Sequence, residues 1–111
     1  MADGRWYARS VQVNAREIRM LAESGARIEY FDKAEDDLRR CQRDHTINSV
    51  DVRFTLQVGQ IELLNYHGSW PGYECEGLTR DGERIVLELE VIESPVEVWL
   101  RVSRIRLFAE D

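Results

Sequence analysis

Cysteine is scarce in this 111-residue chain: Cys41 and Cys75 stand far apart, with no C-x-x-C pair. That argues against a zinc site or a disulfide framework and for two reduced thiols. Histidine is equally rare, only His45 and His67, and no motif of metal-ligand spacing includes either, so neither a metal nor a cofactor is expected. No apolar run reaches the roughly 18 residues that a membrane span needs. The opening "MADGRWYARS" has no apolar core of the kind a signal peptide carries. The expectation is a cytoplasmic protein with no membrane contact. Repeats, low-complexity segments and linkers are also missing, which leaves a single domain over 1–111.

What is present suits such a domain. Hydrophobic residues make up 43% of the chain, enough for one core, and charged residues 32%, enough to coat it. The net charge of −6 is unevenly placed. Residues 1–60 hold ten basic and ten acidic side chains, whereas residues 61–111 hold five and eleven. An acidic second half repels nucleic acid and attracts a basic protein partner. The plainer reading is ordinary solubility.

Helix signals fill the first half. Asn14 with Glu17, and Asp32 with Glu35, have capping-box spacing. Ile18, Leu21 and Ala22 share one helical face, as do Ala34, Leu38 and Cys41, and Gly25 is placed to end the first helix. "RIEYF" between them reads as a short strand or an extended linker. In "INSVDVRFTLQVG", Val50, Val52, Phe54, Leu56 and Val58 alternate with polar residues, a strand pattern. Wound as a helix, Ile47, Val50, Phe54 and Val58 instead fall within about 80° of each other, with Val52 and Leu56 opposite. The second half reads as strands in "QIELLNY", "YECEGLT", "RIVLELEVI" and "VEVWLRVSRIRLF", with Asp81-Gly82 marking a hairpin. Turns this short imply an antiparallel meander.

"TINSVDVRFTLQVGQI" and "YECEGLTRDGERIVLEL" resemble a bacterial family of small uncharacterised domains grouped with the RelE-like and BrnT-like mRNA interferase toxins, and "DHTI" is similar to the motility quorum-sensing regulator toxin. The resemblance runs from about Asn14 to Phe108. It implies a helix over Asn48–Val58 and hence a RelE-like α+β fold: three N-terminal helices (about 14–58) packed on a four-stranded antiparallel meander sheet (about 60–108). Phe54 is then expected in the interior. In similar members a histidine early in the second helix precedes spaced arginines. If Arg39 and Arg43 match those arginines, the histidine position falls near Glu35, and His45 lies beyond the helix end.

RNA cleavage by such a fold needs a base, an acid and cations to hold the phosphate. The candidates are Arg39, Arg43, His45, Arg104 and Arg106. Arg104 and Arg106 should share one sheet face, with Arg101 on the other; the plainer reading pairs these arginines with Glu88 and Glu90. His67, Trp70 and Tyr73 form an aromatic loop that could stack bases or anchor a protein interface. Glu74, Glu76, Glu88 and Glu90 could form an acidic stripe, or a merely solvated face. Two functions follow. The leading expectation is a non-catalytic or degenerate member of the toxin-related superfamily that binds a basic protein, as an inhibitor, an immunity protein or a nucleic-acid mimic does. The alternative is an RNA-cleaving or RNA-binding toxin. RNA and a second copy of the chain stay open as partners.

Overall fold

The computed structural model describes residues 8–64 and 71–107. The elements run β1 (Arg9–Ser10), α1 (Ala15–Glu23), β2 (Ile28–Tyr30), α2 (Lys33–His45), α3 (Ser49–Val58), β3 (Gln60–Leu64), β4 (Gly72–Leu78), β5 (Arg84–Glu93) and β6 (Val98–Leu107). This is an α+β arrangement, but the expected four-stranded antiparallel meander is corrected to a mixed six-stranded sheet. Its order is β2-β6-β5-β4-β3, with β1 paired to the end of β5. The added strands are short and interspersed with the helices. Ile28, Glu29 and Tyr30 lie parallel to Leu100, Arg101 and Val102, and Arg9 and Ser10 lie antiparallel to Glu93 and Ile92. β2 lies within "RIEYF", read as a short strand or an extended linker, whereas the two residues of β1 carry too little alternation to stand out in a sequence.

Residues 49–58 are helical, against their period-2 pattern. The tie is broken at the helix start. Asn48 Oδ1 accepts from the backbone N–H groups of Val50 and Asp51, and Asp51 Oδ2 accepts from the Asn48 N–H, a complete capping box. Asp51 is itself buried, and its other oxygen accepts from Arg80 Nε at 3.1 Å. Burial works to raise the Asp51 carboxyl, but the Arg80 and Asn48 hydrogen bonds outweigh it and hold it below the usual range. The core takes Val52 and Leu56, with Thr55 beside them. The expected burial of the other stripe holds only for Ile47: Val50 and Val58 are more than half exposed and Phe54 is only half-buried.

The other helix ends also divide. Asn14 Oδ1 accepts from the Glu17 N–H, as expected, and Gly25 takes φ +86° after the helix. The second capping box does not form. Asp32 sits at φ 59°, ψ −124° and its side chain caps nothing; Glu35 instead binds Arg39. The chain must turn sharply here, because Phe31 N–H donates to Val102 O while Ala34 N–H donates to Phe31 O. His45 is the last residue of α2 rather than a position beyond it.

All three helices lie toward one side of the sheet, over Ile85, Leu87, Leu89 and Val91 of β5 and Leu100, Val102, Ile105 and Leu107 of β6. Helices α1 and α3 pack together, and α3 binds carbonyls at the end of α1 and just past it: Arg53 donates to Ala22 O and Ala26 O at 3.0 and 2.7 Å. Helix α2 lies along the edge of β6 beyond the end of β2, where Asp37 Oδ2 accepts from the Ile105 backbone N–H at 2.9 Å. Tyr73, buried on β4, clasps the segment before α1: its Oη accepts from Val13 N–H at 2.6 Å and its hydroxyl donates to Val13 O at 2.8 Å.

Gly59 is where α3 meets β4. A Cβ there would lie 2.7 Å from Thr55 O, 2.8 Å from Cys75 Sγ and 2.8 Å from Glu76 O. Gly59→Ala is therefore expected to cost about 1–3 kcal/mol, the range for overpacking a tight site, in urea melts. Asp32→Gly should act oppositely. It relieves a backbone conformation that L residues rarely adopt, and removing an Asp that makes no cap bond loses little, so a gain of about 1 kcal/mol is expected in the same melts.

Candidate functional site

The sheet face away from the helices is where the chemistry-bearing side chains collect. Alternation along β4 and β5 sends Glu74, Glu76, Glu88 and Glu90 to it, since Tyr73, Cys75, Leu87 and Leu89 turn inward. Pairing aligns them in rows. One row reads Glu62–Glu74–Glu88–Arg104 across β3, β4, β5 and β6; the next reads Gln60–Glu76–Val86–Arg106; a third reads Glu90–Arg101–Glu29 across β5, β6 and β2.

The expectation that Arg101 faces away from Arg104 and Arg106 is corrected by a β-bulge. Glu88 pairs with Arg104 but Leu89 pairs with Val102, so Ser103 is an extra residue in β6. The bulge resets the alternation and brings all three arginines to the outer face.

Each arginine there meets a carboxylate. Arg106 Nη2 lies 3.3 Å from Glu74 Oε2 and 3.0 Å from Glu88 Oε2, bridging two glutamates that would otherwise oppose each other directly. Arg84 Nε lies 3.7 Å from Glu76 Oε2. Arg104 reaches round the edge to Asp37 at 2.9 Å. Arg101 Nε donates to Glu29 Oε1 at 3.1 Å, and Trp99 Nε1 donates to the same oxygen at 2.8 Å. Burial pushes the Glu29 carboxyl up, but these two bonds prevail and hold it below the usual range. Phe31 and Trp99 add aromatic faces: Arg101 stacks over the first at 4.7 Å and Arg27 over the second at 4.4 Å.

Glu90 is the exception. It makes no hydrogen bond and no ion pair among the described residues. Burial pushes its carboxyl up, Arg101 pulls it down less strongly, and Glu29 adds to the rise.

The remaining candidates lie elsewhere. Arg39 is paired with Glu35 and Asp36 at 2.7 and 2.8 Å, and Arg43 with Asp44 at 2.9 Å, all on the exposed side of α2. His45 stands near the β4–β5 hairpin, its Nδ1 3.9 Å from Glu83 Oε1. The interior position of Tyr73 and its bonds to Val13 keep its hydroxyl from the surface. His67 and Trp70 lie outside the described residues. Both thiols are buried, and burial raises Cys75 to about 12, which leaves it protonated and unreactive. Among the described residues no group of three or more His, Cys, Asp or Glu side chains could hold a metal ion. Glu29, Glu62, Phe31, Trp99 and Arg9 were not legible as candidates. Glu62 needed the pairing of β3 with β4, and Glu29 the parallel pairing of β2. Comparison with known protein families, curated proteins and solved structures returns no match.

Because the folded state raises the Glu90 carboxyl above its unfolded value, the folded protein holds that proton more tightly. Its contribution to stability falls as pH rises through the carboxyl range and stays lost above it. Glu90→Gln is therefore expected to raise the melting temperature at pH 7 and to leave it unchanged near roughly pH 3, where both forms are neutral. Thermal melts across that range read the difference.

Proposed function

We propose that this protein acts by binding a basic partner protein through the outer face of its sheet, as a non-catalytic relative of the toxin-related superfamily it resembles, at work in the cytoplasm. The observation that carries this reading is the state of the four arginines that RNA cleavage would call on. Arg39, Arg43, Arg104 and Arg106 are each engaged by a carboxylate within 3.0 Å. A phosphate would have to displace those carboxylates, and the adjacent acids would repel it as it approached. If Arg39 and Arg43 match the arginines of the family this chain resembles, the histidine position falls near Glu35, whose carboxylate is an acceptor for Arg39. In the row Glu62–Glu74–Glu88, Arg106 bridges the last two, but Glu62 stands directly opposite Glu74, a like-charge arrangement that costs stability in the isolated chain and that a cationic surface would relieve.

The toxin reading draws on one contact, that of His45 with Glu83. A carboxylate beside an imidazole can orient it as a general base. The nearby arginines are already engaged: Arg80, on the same hairpin, is bound to Asp51, and Arg43 to Asp44.

Purified protein incubated with labelled mRNA is expected to leave it intact. Cleavage by the wild type that disappears in Arg43→Ala or His45→Ala would overturn the binding reading. In parallel, a lysine-rich peptide should bind with a steep salt dependence, and Glu62→Gln/Glu74→Gln should weaken it.

A further inference from the structure

The outer face is not flat. Where β1 joins the end of β5, a cleft of about 410 Å³ opens between Ser10, Phe31, Glu90, Ile92, Arg9 and Arg101. Its apolar surfaces are the Phe31 ring, 48% exposed, and Ile92, which is almost wholly covered. Phe31 is brought here by the turn from β2 into α2, where its N–H is fastened to Val102 O. A large aromatic left half-exposed beside a cavity is surface that a ligand can cover.

The charges of the cleft are unequal in what they have left to give. Arg101 is engaged by Glu29 and stacked on Phe31, and Arg9 is engaged by Glu93 at 2.9 Å. Glu90 has no such partner among the described residues. The Ser10 hydroxyl donates its hydrogen to Pro71 O at 3.1 Å, which leaves its lone pairs to accept. The unsatisfied groups of the cleft are thus a carboxylate and a hydroxyl oxygen, both acceptors, above an apolar floor. That combination fits a cation on an aliphatic stem. It fits an ammonium better than a guanidinium, because a compact charge can sit at Glu90 without a wide planar head abutting Arg101 and Arg9.

We propose that this cleft receives a lysine side chain of the partner protein, its ammonium held between the Glu90 carboxylate and the Ser10 hydroxyl oxygen and its stem lying on the exposed ring of Phe31. The inference rests on the basic-partner reading and gives that interface its anchor. A few desolvated anchors surrounded by near-neutral rim contacts are how binding energy concentrates in interfaces generally. It also accounts for a half-buried carboxylate kept without a hydrogen-bond or ion-pair partner among the described residues, a feature that lowers stability and so signals use elsewhere.

The test uses the whole isotope-labelled protein and NMR shift mapping at millimolar ligand concentration, where single-residue anchors are measurable. The probes are acetyl-Gly-Lys-Gly-amide, the same peptide with its lysine acetylated, its arginine counterpart and a short RNA. The lysine peptide is expected to shift the amides of Phe31, Glu90 and Ile92 saturably, with the acetylated peptide silent and the arginine peptide weaker. Glu90→Gln should weaken the lysine peptide by about tenfold. That variant should fold at least as well as the wild type, and its unperturbed spectrum is the control. Equal binding by the acetylated peptide, unchanged affinity in Glu90→Gln, or shifts in the cleft produced by RNA alone would each overturn the proposal. If the lysine-rich peptide still loses affinity in Glu62→Gln/Glu74→Gln while the cleft stays silent, only the lysine anchor falls. If neither probe binds, the basic-partner reading falls with it.

Discussion

The pairing of β5 with β6 is the interaction on which the rest of this protein depends. The register runs from Ile85 against Leu107 to Glu93 against Val98, and nearly every other element attaches to one of these two strands. β4 and β1 share the free side of β5; β2 and then α2 take the free side of β6. Because both strands put aliphatic side chains inward at every second residue, they supply most of the floor on which the helices sit. The bulge at Ser103 is the one irregularity, and it turns Arg104 and Arg101 to the same side.

The covering of β6 shows how one side chain links two layers. β2 ends after three residues, which would leave the later N–H groups of β6 unpaired at a sheet edge. Asp37 on α2 accepts from Ile105 N–H and from Arg104 with the same oxygen. One buried carboxylate therefore closes the edge, fixes α2 against it and removes Arg104 from service as a phosphate ligand. Structure and electrostatics coincide there, and the same residue that completes the fold disfavours RNA.

The outer face holds a second tension. Its glutamates outnumber the arginines that neutralise them, and the row from Glu62 to Glu88 stays in like-charge register. Arg106 relieves part of this by reaching both Glu74 and Glu88. What stays uncompensated is concentrated at Glu62, at one edge, and at Glu90, beside the exposed ring of Phe31. A face built for solubility alone would have no reason to keep a half-buried carboxylate without a partner among the described residues.

The sequence by itself determined much of this. The Asp81-Gly82 hairpin, the strands on either side of it, the stripes of α1 and α2 and the common facing of Glu74, Glu76, Glu88 and Glu90 all follow from local periodicity, which depends only on residues a few positions apart. Over Ser49–Val58 the chain satisfies both periods, and the capping box of Asn48 with Asp51 makes it a helix. Only the tertiary structure decided which stripe of that helix is inside. It buried Val52 and Leu56 and left Val50 and Val58 outside, since Thr55 and Gly59 must approach β4 closely. It also decided the parallel placement of β2, the missing cap at Asp32, the bulge at Ser103 and the meeting of Phe31 with Glu90. Each of these joins residues distant in the chain or depends on a turn forced by such a joining, and no periodicity within a strand or helix records what lies on the strand beside it.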